Sequence, residues 1–153
     1  MKNKKYLVNY IIQLKFKEIV NVMNFYVTEK ENDRVQSIVL NSSEKDSLIC
    51  FETIDGSITI FNLNNVIHIY FLFEPLGIEY KTEYEDKDDI NSIKIKICGN
   101  DNVISEYIPD PIEMAELYLD IQEANIESDV NIKKFIGFTD FDGEYFSINK
   151  DSI

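Results

Sequence analysis

The chain has 153 residues, of which 44% are hydrophobic and 28% are charged, so it is expected to fold as one soluble domain with an apolar core. Its formal net charge of −13 argues against direct binding to nucleic acid or to anionic membranes, because those partners are also negative. The longest apolar run, residues 66–73, is too short for a membrane helix, and the N-terminus lacks a signal-peptide cleavage site, so a cytoplasmic protein is expected.

The N-terminal third predicts mostly extended structure. Residues 10–17 alternate apolar and polar side chains, which is typical of a half-buried strand. Residues 19–27 fit a helix or a strand equally well, and that choice stays open. Residues 29–34 are predicted to form a polar turn, and residues 35–40 are predicted to form a short strand.

The central stretch predicts the middle of a sheet. The Asp55-Gly56 pair lies between two runs of β-branched and aromatic residues, which favours a hairpin of residues 49–54 and 57–62. A type I′ turn is expected there, with positive φ at both central residues. The apolar run at residues 66–73 predicts a third strand that is buried on both faces.

Two more strands and a helix are predicted beyond this centre. Residues 78–84 and 93–98 are expected to pair as antiparallel strands around an acidic loop. Asp110 at the N-cap, Pro111 at the first helical position and Glu113 at the third predict a helix that runs to about Ile126. Its expected buried stripe consists of Met114, Leu117, Tyr118, Ile121 and Ala124.

The C-terminal residues 135–153 repeat the pattern of the central hairpin 87 positions later. Asp142-Gly143 recurs there, and four identities fall in the sixteen positions from 51 to 66. Whether this is a true duplication stays open, but two copies of a similar supersecondary unit are expected. The predicted fold is therefore a single α+β domain over residues 1–153, with a twisted antiparallel sheet or small barrel of about seven to nine strands and one amphipathic helix near 111–126.

The chain lacks the residue sets of common enzymes. The chain has one histidine, His68, which excludes multi-histidine metal sites. It is expected to be a buried, hydrogen-bonded core residue, so Ser-His-Asp and Cys-His sites are not expected either. The two cysteines, Cys50 and Cys98, are expected to be reduced and buried. The five glycines do not cluster, so a phosphate-binding loop has little to be built from.

Carboxylates that could form a catalytic or metal site are also poorly placed in the sequence. Three of them, Asp140, Asp142 and Glu144, alternate around the second predicted turn, but a turn interrupts the face that alternate strand residues share. The loop at residues 83–89 lacks the glycine and ligand spacing of a calcium loop. We therefore expect a protein that is not an enzyme and that carries no cofactor or metal.

The distribution of acidic residues is the strongest functional signal. Residues 101–132 contain nine acidic residues and no lysine or arginine. Five carboxylates recur at spacings of three and four on the predicted helix, so they would form a ridge roughly 21 Å long. The expected partner-binding residues are this ridge and the tip of the acidic loop: Glu113, Glu116, Asp120, Glu123, Glu127, Glu85, Asp86, Asp88 and Asp89.

These features favour a non-enzymatic acidic protein that engages a basic surface of a partner protein, such as a nuclease or a nucleic-acid-binding protein. Small inhibitors, immunity proteins and nucleic-acid mimics act in this way. Two alternatives stay open: a structural or assembly subunit that forms homo-oligomers through strand edges, and a small-ligand-binding domain or enzyme with an unrecognised pocket.

Overall fold

The computed structural model describes residues 8–43, 47–75, 91–98, 103–126, 133–140 and 142–153, which form an α+β structure. The strands are β1 Val8–Phe16, β2 Met23–Val27, β3 Leu48–Glu52, β4 Ile58–Asn62, β5 Val66–Pro75, β6 Asn91–Lys96, β7 Val103–Ile108, β8 Phe135–Thr139 and β9 Tyr145–Asn149. The helices are α1 Glu29–Leu40 and α2 Pro111–Ile126, and two short 3₁₀ turns follow β4 and β9. The predicted α+β class is confirmed.

Five strands form an open antiparallel sheet in the order β2-β1-β5-β9-β8. The predicted strand at residues 66–73 is confirmed as the central strand β5: Val66, Ile69 and Phe71 are buried in one cluster, and Ile67 and Tyr70 are partly buried against the other. The β3–β4 hairpin was predicted to share this sheet, which was wrong, because it forms a separate two-stranded sheet. One face of this sheet is covered by α1 and the β3–β4 hairpin, and the other face is covered by α2 and the β6–β7 hairpin. The core therefore consists of two apolar clusters, one on each side of the sheet.

Helix α1 replaces the polar turn and short strand that were predicted for residues 29–40, so that prediction was wrong. The Thr28 hydroxyl accepts a hydrogen bond from the Glu31 N–H at 3.2 Å and caps the helix. Asn32, Val35 and Val39 are buried at helical spacing. The valine and isoleucine content of residues 35–40 suits a strand locally, but burial of one helical face overrides that propensity.

Two pairing questions are settled by the structure. In the ambiguous segment 19–27, residues Met23–Val27 form the edge strand β2 and pair with β1. Strand β6 pairs with β7, which was not predicted. The predicted partner of β6, residues 78–84, lies outside the described residues.

The β3–β4 turn is not of type I′, because among the described residues only glycines have positive φ. Gly56 has φ of 88°, the Thr53 N–H bonds to the Ser57 carbonyl at 2.8 Å, and the Gly56 N–H bonds to the Thr53 carbonyl at 3.0 Å. These bonds define a three-residue loop, a type I turn closed by a glycine bulge. Asp55 therefore needs no left-handed conformation.

The predicted recurrence of one supersecondary unit is confirmed. We define the first unit as residues 48–65 and the second unit as residues 135–152; each contains a hairpin followed by a 3₁₀ turn, and every boundary differs by 87. In the second turn the Asp140 N–H bonds to the Glu144 carbonyl at 2.9 Å and Gly143 has φ of 80°. The amide oxygens of Asn62 and Asn149 cap the two 3₁₀ turns in the same way.

The correspondence includes the helix that precedes each hairpin. Glu31 is the third residue of α1, and its carboxylate accepts the Glu52 N–H at 2.7 Å. Glu113 is the third residue of α2, and its carboxylate accepts the Thr139 N–H at 2.6 Å. Glu52 and Thr139 end the first strand of their respective hairpins. A helix-plus-hairpin arrangement therefore occurs twice.

The two units occupy different layers of the structure. The second unit lies in the central sheet, because β9 pairs with β5. The first unit lies outside that sheet and packs one face on it through Ile49, Phe51 and Phe61. Equivalent residues consequently enter opposite clusters, as Phe51 and Phe138 do.

Candidate functional site

The first carboxylate of the predicted ridge has an internal partner. Glu113 is half-buried, and its Oε1 accepts the Thr139 N–H at 2.6 Å. Burial, and secondarily the Glu113 charge, raises the pKa of the Tyr145 phenol to about 12. Glu113 therefore ties α2 to the end of β8, and it presents only part of its carboxylate to solvent.

The next ridge residue is open to solvent. Glu116 is exposed, and the neighbouring apolar side chains Ile112 and Leu119 are exposed as well. Asp120 and Glu123 lie on α2, but their side chains are outside the description, as are Glu127 and the loop residues Glu85, Asp86, Asp88 and Asp89. The described outer surface of α2 therefore combines one exposed carboxylate, Glu116, with the exposed apolar side chains of Ile112 and Leu119.

Helix α2 buries a narrower stripe than predicted. Leu117 is buried and Met114 packs against the second cluster, as expected. Tyr118 and Ile121 are exposed, so their predicted burial was wrong, and the side chain of Ala124 is outside the description. The helix contacts the core along one line only, and side chains beyond that line remain in water.

The second turn gathers three carboxylates that the sequence seemed to separate. Ligand oxygens of Asp140, Asp142 and Glu144 lie within 4.8 Å of one another. Asp140 Oδ1 accepts the N–H groups of Asp142 and Glu144 at 2.9 and 3.0 Å, and its Oδ2 accepts the Tyr70 hydroxyl. Alternation along a strand does not apply here because the tight turn brings its two ends together.

These carboxylates mainly hold the chain in place. Glu144 Oε2 accepts the Phe73 N–H at 2.8 Å, which ties the turn to β5. Burial raises the pKa of Asp140, and it raises the pKa of Glu144 to about 7 against the opposing effect of the Phe73 N–H. A hard cation could use Asp142 and the second oxygen of Glu144, but the other three oxygens already accept hydrogen bonds from the chain.

No protein-family model, curated protein or solved structure matches this chain. Within the described residues, α1 and α2 are both too short or too polar to cross a membrane. Any assignment of function therefore rests on the chemistry of the exposed groups.

His68 lies on β5, Cys50 lies on β3, and Cys98 lies just after β6. His68 is half-buried beside Phe146, with ring centroids 5.3 Å apart, and burial followed by the Lys15 charge lowers its pKa to about 4. Its Nδ1 has no hydrogen-bond partner among the described residues, contrary to prediction. Cys50 and Cys98 are free as expected, but both are exposed rather than buried.

The outer face of the first unit is a second exposed surface, which sequence reasoning missed. Ile58 and Ile60 are 69% and 68% exposed, and Leu48 and Cys50 on the adjacent strand are exposed too. Strand β4 has no neighbour other than β3 among the described residues. The hairpin itself was predicted, but the sequence carried no signal that one face would stay uncovered.

Proposed function

We propose that this chain is a non-enzymatic acidic binding protein that engages a basic surface of a partner protein, in the manner of a small inhibitor, an immunity protein or a nucleic-acid mimic. The observation that carries the proposal is the run of nine acidic residues without one lysine or arginine at positions 101–132, in a chain of net charge −13. Such a field attracts a basic surface and accelerates its association.

The described part of α2 supports this role. Glu116 is exposed between Ile112 and Leu119, which are also exposed. A carboxylate flanked by apolar groups suits a protein interface, where apolar contacts supply much of the affinity and charge supplies orientation and rate. Glu113 contributes less, because part of its carboxylate is bound to Thr139.

A binding titration with charge-reversed variants tests the proposal. The probes are basic nuclease domains with isoelectric points above about 9. The ridge variant carries Glu116→Lys, Asp120→Lys and Glu123→Lys. The matched control carries Glu18→Lys, Asp33→Lys and Asp151→Lys, which change the net charge equally at three exposed positions outside α2.

Wild type is expected to bind at least one probe, with an association rate that falls at least about tenfold between low salt and 0.5 M salt. The ridge variant should lose at least about tenfold more affinity than the control. Absence of binding at low salt would contradict the proposal, and so would an equal loss in both variants, because charge position would then be irrelevant.

A further inference from the structure

Among the described strands, none pairs with the outer edge of β4, whereas the equivalent edge of the second unit pairs with β5. Bonds from Thr53 to Ser57 and from Leu63 to Ser47 flank the β3–β4 ladder, so alternation directs the peptide groups of Ile58, Ile60 and Asn62 away from β3. The equivalent residues Tyr145, Ser147 and Asn149 direct their peptide groups toward β5, which pairs antiparallel with β9. In the second unit, the edge that corresponds to the outer edge of β4 thus pairs with an antiparallel strand of the same chain.

The other edge of the first unit shows how this protein closes an edge that is not used. The Arg34 guanidinium donates to the Cys50 carbonyl at 2.8 Å, and the Glu31 carboxylate accepts the Glu52 N–H at 2.7 Å. Glu31 and Arg34 also pair with each other. Helix α1 therefore satisfies two outward peptide groups of β3, the Cys50 carbonyl and the Glu52 N–H.

Within the part of the chain that the structure describes, β4 has none of the features that block strand addition. Proteins protect exposed edges with lysine, proline, bulges or a covering element. The β4 sequence Ile-Thr-Ile-Phe-Asn contains no charged residue and no proline, its register with β3 is regular, and two of its isoleucines are exposed. An edge with these properties is expected to pair with another strand.

A second copy of β4 fits this edge better than a charged strand would. A strand that pairs antiparallel with its own copy is related to it by a twofold axis, so the assembly closes at two chains. Because β4 is uncharged, two paired copies of β4 place no carboxylate between the paired strands, although each chain has a net charge of −13. Leu48, which is exposed on the adjacent strand β3, extends the apolar surface next to the paired strands in each copy.

We propose that β4 is a homodimer interface, in which two copies pair antiparallel about Ile60 and join their hairpins into one four-stranded sheet. This register places Ile60 opposite Ile60 of the second copy and Ile58 opposite Asn62, and it pairs all five residues of β4. The dimer goes beyond the acidic binding role and does not depend on it. Loss of binding to basic proteins would leave the dimer unaffected, and a monomer could still bind them.

Sedimentation velocity over a range of protein concentrations tests the dimer. Wild type is expected to show a concentration-dependent shift from the 17.9 kDa monomer to a species of twice that mass. Ile60→Lys should raise the dissociation constant about a hundredfold or more, because two isoleucines lose their burial and two ammonium groups meet at the axis. Ile112→Lys is the matched control, since Ile112 is also 68% exposed and lies on α2; it should leave the dimer unchanged.

A second variant keeps the proposal falsifiable if Ile60→Lys unfolds. Ile60→Cys, in a chain that also carries Cys50→Ser and Cys98→Ser, should form a disulfide-linked dimer under mild oxidation, because directly opposed residues in a hydrogen-bonded pair lie about 5.5 Å apart at Cα. Ile112→Cys in the same background should not. A wild type that stays monomeric up to about 1 mM, a dimer that withstands Ile60→Lys, or an open series of larger species would each overturn the proposal.

Discussion

The two hairpin units have matching boundaries, turns and caps, yet they occupy different positions in the fold. The second unit is an interior part of the sheet: β9 pairs with β5, and Phe146, Ser147 and Ile148 are buried. The first unit lies on top of the sheet, with Ile58 and Ile60 in solvent. Backbone geometry is thus set by the local sequence of each unit, whereas burial is set by its neighbours. Within the described residues, β4 therefore lacks the partner strand that its equivalent β9 has in β5.

Truncation of the equivalent core phenylalanines is expected to have the largest effect. Phe51 and Phe138 are buried in opposite clusters, so Phe51→Ala and Phe138→Ala should each lower the free energy of unfolding by about 3–5 kcal/mol. Urea denaturation measures this change. Ile54→Ala, at an exposed position of the first turn, should stay within about 0.5 kcal/mol of wild type. A loss below about 1 kcal/mol at only one phenylalanine would mean that the two units anchor differently.

The helix-to-strand contacts should differ between the units. Glu113→Ala leaves the half-buried Thr139 N–H without its acceptor and should cost about 1–3 kcal/mol. Glu31→Ala should cost less than about 1 kcal/mol, because Glu52 is exposed and water can replace the carboxylate. Thermal denaturation compares the two variants, with Glu116→Ala as an exposed control on the same helix. An equal or greater loss at Glu31 would contradict the expectation that the contact to the less exposed strand residue, Thr139, is the costlier one to remove.

The two turn glycines should be equally sensitive. Gly56 and Gly143 have φ of 88° and 80°, so Gly56→Ala and Gly143→Ala should each cost about 1–2 kcal/mol. The Gly56 site has open space for a methyl group, so backbone strain alone sets its cost. Asparagine at the same positions should be tolerated better than alanine, since it adopts the left-handed region more readily. A variant that leaves the urea midpoint unchanged would show that its turn has relaxed to another type.

The pH dependence of stability should distinguish the units by a smaller effect. Glu144 has its pKa raised to about 7 in the fold, so the folded state holds this proton more tightly than the unfolded state. Its contribution to stability should therefore increase as pH falls from about 7 toward the ordinary carboxyl range, and decrease as pH rises through about 7. The equivalent residue of the first unit is Ser57, which does not titrate.

Urea midpoints between pH 5 and 8 measure this contribution. Glu144→Gln should flatten the dependence relative to wild type, and Glu116→Gln should not. Subtracting the Glu144→Gln profile from the wild-type profile removes the contributions of His68 and of the other carboxylates, which both proteins share. An unchanged slope in Glu144→Gln would contradict the burial of Glu144 against β5.

Local signals predicted the elements that the structure confirms. The Asp-Gly pairs gave both hairpins, and Asp110, Pro111 and Glu113 gave the start of α2, because turns and caps depend on a few neighbouring residues. A capping signal was also present for α1, in Thr28 followed by Glu31, but the β-branched residues after it favoured a strand. Periodicity combined with that cap would have found the helix.

Other features depend on contacts that a sequence does not display. The tight second turn brings its acids together, but their anchoring depends on β5: Tyr70 binds Asp140 and Phe73 binds Glu144 across about 70 positions of sequence. Strand β5 pairs with β9 and not with β4, so the first unit stays outside the central sheet. The apolar pattern predicted that both hairpins would pack, and only the sheet order decides how many of their faces are covered.

Amide hydrogen exchange at two equivalent residues shows whether the outer edge of β4 is free in the monomer and paired in the dimer. Ser147 pairs with Ile69 inside the central sheet, and its equivalent Ile60 lies on the open edge of β4. The Ser147 amide is expected to be protected at every protein concentration, and the Ile60 amide is expected to exchange rapidly in dilute protein and to become protected as the concentration rises. An Ile60 amide that is as protected as Ser147 in the dilute monomer, or that stays unprotected at all concentrations, would contradict it.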